Sequence, residues 1–368
     1  MRSISVSSPG RINLIGEHTD YNNGFVLPAA IGQAATINIE IRDDQIVQLI
    51  ALDLQEECFI DLAKMVKQEK QWANYLIGVI AQFQKQFIFS KGFTIRLQSK
   101  VPIGAGLSSS AAIECALAFA LNEFFSLGLD KMQLALLAQK AEHEFAGVQC
   151  GIMDQFASLF GKKNEVVLLD CQNLSYQYFP LQLGDYEIVL LDTQVKHALA
   201  SSEYNTRRAE CEKAVSMIQK KYPQVNSLRD ASMELLSEMV DAHAFPKVYN
   251  RAAYVIQEIE RTLAATQDLQ VGNLTGFGQK MFATHQGLSE LYEVSCPELD
   301  LLVSLVQANP NVVGARMMGG GFGGCTINLI HKTATNSLLE SISENYFKCT
   351  AKQLQYYIVS VEQGTHLL

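Results

Sequence analysis

Four stretches of this 368-residue chain combine residue types that could do chemistry. The first is Val101-Pro-Ile-Gly-Ala-Gly-Leu-Ser-Ser-Ser-Ala-Ala112, followed by an apolar run over 113–125. Pro102, Gly104 and Gly106 break any regular element, and Ser108, Ser109 and Ser110 lead into a segment of helical character. A glycine-rich turn feeding a helix start leaves several backbone N–H groups unpaired and aligned. With the positive end of the helix dipole they make a seat for phosphate. The hydroxyls add donors, and one of them could ligate a phosphate-bound Mg²⁺. The same residues also describe an ordinary serine-capped helix, and this stretch alone leaves both readings open.

The second stretch places Arg11, Asn13, Glu17, His18, Asp20 and Tyr21 within eleven positions, beside Gly10, Gly16 and Gly24. Polar side chains next to turn residues are expected on loops. Glu17, His18 and Asp20 could be metal ligands, but their spacing matches no strong metal signature. A cluster rich in both donors and acceptors suits a polyhydroxylated ligand better. The apolar Ile12, Leu14 and Ile15 interleaved with it weaken the alternative of a fully solvated loop. In the third stretch, residues 147–158, Asp154 sits among Ile152, Met153, Phe156 and Ala157. A carboxylate in such a setting needs a partner or a shifted pKa, unless it is simply a first-turn aspartate favoured by the helix dipole. The fourth, Gly314-Ala-Arg-Met-Met-Gly-Gly-Gly-Phe-Gly-Gly-Cys325, suits a loop whose backbone approaches something closely, or a tight hairpin.

These residues need positioning elements. Alternation predicts strands over 3–7, 34–41, 46–52, 92–98 and 355–362, and 166–170 and 187–192 read as buried strands. Helical spacing predicts an amphipathic helix over 72–89, with Trp72 a core residue by default that could also stack on a base. A helix from the serines to about 125 is expected to end at Gly128, and a second over 130–145 starts on an aspartate cap and carries Glu142 near its end. A helix is expected to start within 195–208, with Tyr204 near its beginning. Residues 209–307 read as mostly helical, with breaks near Pro223, Pro246 and Pro297.

Composition bounds the rest. The chain is 48% hydrophobic and 18% charged, with a formal net charge of −9, and no Lys/Arg-rich run supports a nucleic-acid footprint. No signal-peptide core or uninterrupted apolar span is evident, which argues against a membrane protein. Eight scattered cysteines without a C-x-x-C pair read as buried thiols of a reducing compartment. A soluble, cytoplasmic, two-domain protein is expected, with domains over 1–178 and 179–368 and the extreme C-terminal tail free to return to the first domain.

Taken together, the motifs resemble a known family. Gly10-Arg-Ile-Asn-Leu-Ile-Gly-Glu-His-Thr-Asp-Tyr21 is similar to the signature of galactokinases, and Pro102-Ile-Gly-Ala-Gly-Leu-Ser-Ser-Ser-Ala-Ala112 resembles the phosphate loop of the wider GHMP kinases. Met317-Met-Gly-Gly-Gly-Phe-Gly-Gly-Cys325 resembles their third motif, and Cys150-Gly-Ile-Met-Asp-Gln155 and Ser202-Glu-Tyr204 match galactokinases too. The resemblance implies an α+β fold of two domains, the first related to ribosomal protein S5 domain 2 and the second ferredoxin-like. It implies transfer of the ATP γ-phosphoryl group to O1 of galactose, by a monomer or weak oligomer that binds galactose and MgATP but no nucleic acid or membrane. Asp154 then corresponds to the catalytic aspartate and Arg11 to its neighbouring arginine. Glu17, His18, Asp20, Gly151 and Tyr204 match sugar-binding positions. Gly104, Gly106, Leu107, Ser108, Ser109, Ser110 and Ala111 fall in the phosphate loop, Ser110 with Glu142 at the Mg²⁺, and Trp72 and Tyr75 at the adenine. Met318 departs from the threonine common in the family.

The residues agree with that implication. No lysine follows the glycines as in a P-loop, and no dinucleotide fingerprint is complete. A kinase for N-acetylgalactosamine or arabinose is the nearest alternative. A non-catalytic galactose and ATP sensor is another, although such regulators carry a lesion in the serine-alanine part of the phosphate loop, and residues 108–112 are complete here.

Overall fold

The structure is a computed structural model, and it describes residues 3–195 and 200–368. The first strand, β1 (Ser3–Asn13), is much longer than alternation predicts. It runs through Pro9 and Gly10 because a register shift between Pro9 and Arg11 absorbs them while pairing with β3 continues. Arg11 and Asn13 therefore lie on a strand, correcting their expected loop placement, while Glu17 and His18 occupy the turn that follows and Asp20 and Tyr21 a short 3-10 helix.

After β2 (Phe25–Val26) come β3 (Pro28–Ile41), β4 (Ile46–Ala51) and β5 (Glu56–Asp61). Helix α1 (Gln71–Gln84) and β6 (Phe93–Ser99) lead to the long α2 (Ser109–Phe125). The first sheet has the order β13-β1-β3-β6-β4-β5 once the last strand is included, so β6 separates β3 from β4 although those two are neighbours in sequence. β5 shows no alternation in its sequence because the apolar Cys58, Phe59 and Ile60 are consecutive, although on this charged edge strand Phe59 is exposed and its two neighbours are buried. Almost all of α2 is buried, so it shows little amphipathic pattern, as expected for a helix enclosed on all sides. It ends at Ser126 in a left-handed conformation, two residues before the glycine expected to stop it.

Helix α3 (Lys131–Ala141) starts on a capping box between Asp130 and Gln133. Its last turn opens into a π-helical turn, Glu142–Ala146, which begins at Glu142. Then follow α4 (Met153–Phe160), β7 (Glu165–Asp170), β8 (Tyr176–Pro180) and β9 (Tyr186–Asp192). Strands β2, β7 and β8 form a small three-stranded sheet.

Helix α5 (Ala200–Gln219) carries Tyr204; residues 196–199 of the segment expected to open it lie outside the described residues. Helices α6 (Met233–Met239), α7 (Pro246–Gln270), α8 (Leu274–Gln286) and α9 (Pro297–Gln307) follow, with prolines in the first turns of α7 and α9. β10 (Val312–Met317) and β11 (Cys325–His331) bracket the glycine-rich loop as an antiparallel pair. Helix α10 (Thr335–Thr350), β12 (Gln355–Val359) and β13 (His366–Leu367) end the chain. The second sheet is β10-β11-β9-β12, whereas β13 pairs with β1 in the first. Among the described residues no helix is long and apolar enough to cross a membrane.

Candidate active site

Asp154 occupies the first turn of α4, and α4 has no side-chain cap. Its partner is Arg11 on β1: Nε donates to Oδ1 at 2.8 Å and Nη2 to Oδ2 at 2.9 Å, a bidentate pair. Ser108 Oγ donates to the same Oδ2, and Arg11 Nη1 to the carbonyl of Gly106. One guanidinium thus ties β1, the phosphate loop and α4 together. Burial disfavours its charge, but Asp154, with Glu17 and Asp20 nearby, outweighs this and raises the Arg11 pKa. The Arg11 side chain is 6% exposed and that of Asp154 25%, so the carboxylate remains open to a reactant.

The cavity beside Asp154 has a volume of about 170 Å³, and Arg11, Glu17, His18, Asp20, Gly151 and Tyr204 are among the residues that line it. Such a volume is small beside sites for drug-sized ligands of roughly 300–1,000 Å³ and matches a compact polar molecule. Asp20 packs so closely on Gly151 that a Cβ there would lie 1.8 Å from Oδ2. Burial, then the charge of Asp154, pushes the Asp20 pKa up to about 7. His18 adopts a left-handed backbone at φ 62°, and its Nδ1 lies 2.7 Å from Tyr21 Oη. Burial pushes its pKa down to about 4, so the imidazole is neutral at pH 7. Tyr204 packs on both the His18 and Tyr21 rings, at 5.5 and 5.2 Å between centroids. Tyr292, which sequence reasoning missed, closes the network through a 2.8 Å hydrogen bond with Tyr21.

Glu17 lines the cavity too, but its Oε1 is engaged behind it, accepting from Gly319 N–H at 2.8 Å and from Arg316. Arg316 was also missed. Its signal was a lone arginine in an otherwise apolar strand.

In the phosphate loop Gly104, Gly106 and Ser108 all have positive φ, which turns successive N–H groups into one concavity. Leu107 and Ala111 are buried in the core, so only their backbones can serve a ligand, whereas Ser109 and Ser110 are half-buried. The glycine-rich loop faces this one: a Cβ on Gly319 would meet the Gly106 carbonyl at 3.6 Å. Ser110 Oγ donates to Glu142 Oε1 at 3.1 Å, and Glu142 Oε2 accepts from Gln155 Nε2 at 2.7 Å. Burial and the charge of Asp154 raise the Glu142 pKa. Among the described residues no guanidinium or ammonium bonds Glu142, and a buried carboxylate beside a hydroxyl is a hard oxygen pair suited to Mg²⁺. Among the described residues, no group of three or more His, Cys, Asp or Glu is arranged to hold a metal. Trp72 donates from Nε1 to Glu56 at 2.7 Å, and Tyr75 lies within the electrostatic reach of Glu142 and Glu114. Neither lines the cavity. The Met318 side chain is buried in the core, so its departure from threonine alters packing behind the loop and leaves the glycine backbone available.

The chain is similar to known proteins along most of its length. Residues 74–162 match the GHMP kinases N terminal domain, residues 2–40 the galactokinase galactose-binding signature, and residues 264–348 the GHMP kinases C terminal domain. A galactokinase of Thermotoga petrophila is 42% identical over 98% of this chain and 99% of its own. One of Clostridium beijerinckii is 40% identical over 97% and 93%. The Lactococcus lactis galactokinase solved in complex with galactose superposes at a TM-score of 0.95 with 35% identity, covering 100% of this chain and 95% of its own. The Methanococcus jannaschii mevalonate kinase, at a TM-score of 0.66 and 18% identity, shares the fold.

Proposed function

We propose a mechanism for a chain that belongs to the galactokinase family of GHMP kinases: transfer of the γ-phosphoryl group of ATP to O1 of galactose, giving galactose 1-phosphate and ADP. The observation that supports it is the bidentate Arg11–Asp154 pair standing in the same cavity as Glu17, His18, Asp20, Gly151 and Tyr204. Phosphoryl transfer asks little covalent help of the protein. It asks for a positioned hydroxyl and for charge stabilisation on the moving phosphoryl group.

In this reading Asp154 orients O1–H and accepts its proton, and the new O1–P bond forms as the bond to the ADP oxygen breaks. The loose transition state lets the proton leave late, so a strong base is unnecessary. Arg11 steadies Asp154 and, as the pair loosens, the transferring phosphoryl oxygens. Ser108, which donates to Asp154, fixes the carboxylate plane. Asp20 and Glu17 accept sugar hydroxyls, neutral His18 completes the hydrogen-bonding wall, and Tyr204 packs tilted and edge-on against the His18 and Tyr21 rings. Backbone N–H groups of 104–111 and of the facing glycine-rich loop cradle the phosphates. Ser110 and Glu142 would hold Mg²⁺, which when bound would supply charge neutralisation to the triphosphate. Trp72 and Tyr75 are assigned to the adenine end, outside the sugar cavity. Eight free cysteines and a need for ATP support a cytoplasmic setting.

The test is ADP release with Mg²⁺ and a panel of galactose, N-acetylgalactosamine and arabinose. Selective turnover of galactose is expected. Turnover confined to another sugar, or sugar binding without ADP release, overturns the reading.

A further inference from the structure

Arg316 is wholly buried on β10, yet most of its hydrogen bonds reach away from its own sheet. Nε donates to the Leu14 carbonyl at 2.8 Å, and Nη2 donates to the Asn13 carbonyl. Nη1 and Nη2 both reach Glu17 Oε1, at 3.2 and 3.1 Å, and Nη1 also meets the Met317 carbonyl at 2.7 Å. The same Glu17 oxygen accepts the N–H of Gly319. One guanidinium and one carboxylate oxygen therefore join two loops: the one that continues into His18 and Asp20, and the one that faces Gly106. Helix α7 braces the first loop, with Glu258 accepting from Gly16 N–H at 2.9 Å and Tyr254 Oη donating to the Glu17 carbonyl at 3.1 Å.

A buried ion pair contributes little net stability once desolvation is counted, and an apolar pair of the same volume often does as well. Its distinctive property is geometry. The planar fork of arginine holds several acceptors in fixed relation, which a lysine cannot reproduce. We infer that Arg316 is a positioning residue that sets the sugar cluster and the glycine-rich phosphate loop in one frame through Glu17, so that each substrate's binding strengthens the other's. The inference rests on the two-substrate reading above. Occupancy of the sugar cluster orders Glu17, Glu17 orders Gly319, and the relation is reciprocal by linkage.

The experiment is Arg316→Lys, with galactose and a non-hydrolysable ATP analogue titrated by calorimetry, each alone and in the presence of the other. Galactose affinity is expected to fall at least about tenfold, and the factor by which each ligand tightens the other to fall towards one. A purely packing role lowers the Tm but leaves that factor at its wild-type value, which overturns the inference. No mutual tightening in the wild type overturns it as well. If Arg316→Lys does not fold, Glu17→Gln keeps the size and one acceptor oxygen while removing the charge. It should show the same loss of mutual tightening in smaller measure, and an unchanged factor counts against the inference. If the wild type binds another sugar of the panel instead of galactose, the galactose reading fails, and coupling measured with that sugar still decides the role of Arg316.

Discussion

Asp20 and Gly151 lie so close that a single methyl group on Gly151 would fall 1.8 Å from Asp20 Oδ2. The glycine is required by a carboxylate that came from the other end of the domain. Gly151→Ala must displace either the Asp20 side chain or the 148–154 segment, which also carries Asp154. We expect galactose KM to rise at least about tenfold, since small displacements at a positioned site are costly, with a smaller fall in kcat. Steady-state kinetics check this; an unchanged KM would place the sugar away from Asp20.

Asp20 also predicts a pH dependence. Its pKa lies near 7 in the folded chain against an ordinary value of 3.8. As an acceptor for sugar hydroxyls it works best ionised, so galactose affinity should weaken as pH falls from 8 to 6. Asp20→Asn should weaken binding and flatten that profile. The stability contribution has the opposite slope. Between the unfolded and folded pKa values the folded chain binds the extra proton, so this group's contribution falls as pH rises through that window. Asp20→Asn should therefore be the relatively more stable protein at pH 8, a comparison that denaturant unfolding at pH 5 and 8 makes directly.

Ser108 and Ser110, two residues apart, should fail in different ways. Ser108→Ala removes a hydroxyl donor from Asp154. A hydrogen bond to a charged group is worth about 1.5–3 kcal/mol, so kcat should drop roughly 10- to 100-fold with little change in the Mg²⁺ requirement. Ser110→Ala, like Glu142→Gln, should instead raise the Mg²⁺ concentration for half-maximal activity by about tenfold or more. Mg²⁺ titrations of both variants distinguish the two; identical behaviour would defeat the division of roles.

Asp154→Asn keeps the size of the side chain and loses its negative charge against Arg11. Turnover should fall by about 10²–10⁴, while calorimetric galactose affinity changes little. Near-normal turnover would show that Asp154 neither orients nor deprotonates O1.

Much of this is legible in the sequence. Asp130 announces a helix cap, alternation finds several strands of the first sheet, and the serine run after two glycines marks a helix start with free N–H groups. Other features carried no local signal. β5 is an exposed, charged edge, and the alternation of β1 is broken by a Pro-Gly pair that a bulge absorbs. Tyr292 joins the sugar cluster from a helical region whose local pattern speaks only of packing.

The sequence by itself determined the chemistry available: a carboxylate in an apolar turn, a polar cluster between glycines, and two glycine loops able to expose backbone amides. Those are properties of residue type and short spacing, which local sterics and hydrogen bonding translate directly. Only the tertiary structure decided who meets whom. Arg11 and Asp154 are 143 residues apart, and Leu14 and Arg316 are 302 apart, so nothing local relates them. Their pairing follows from sheet order and from burial, which leaves a guanidinium no water and makes the acceptors within reach its only partners.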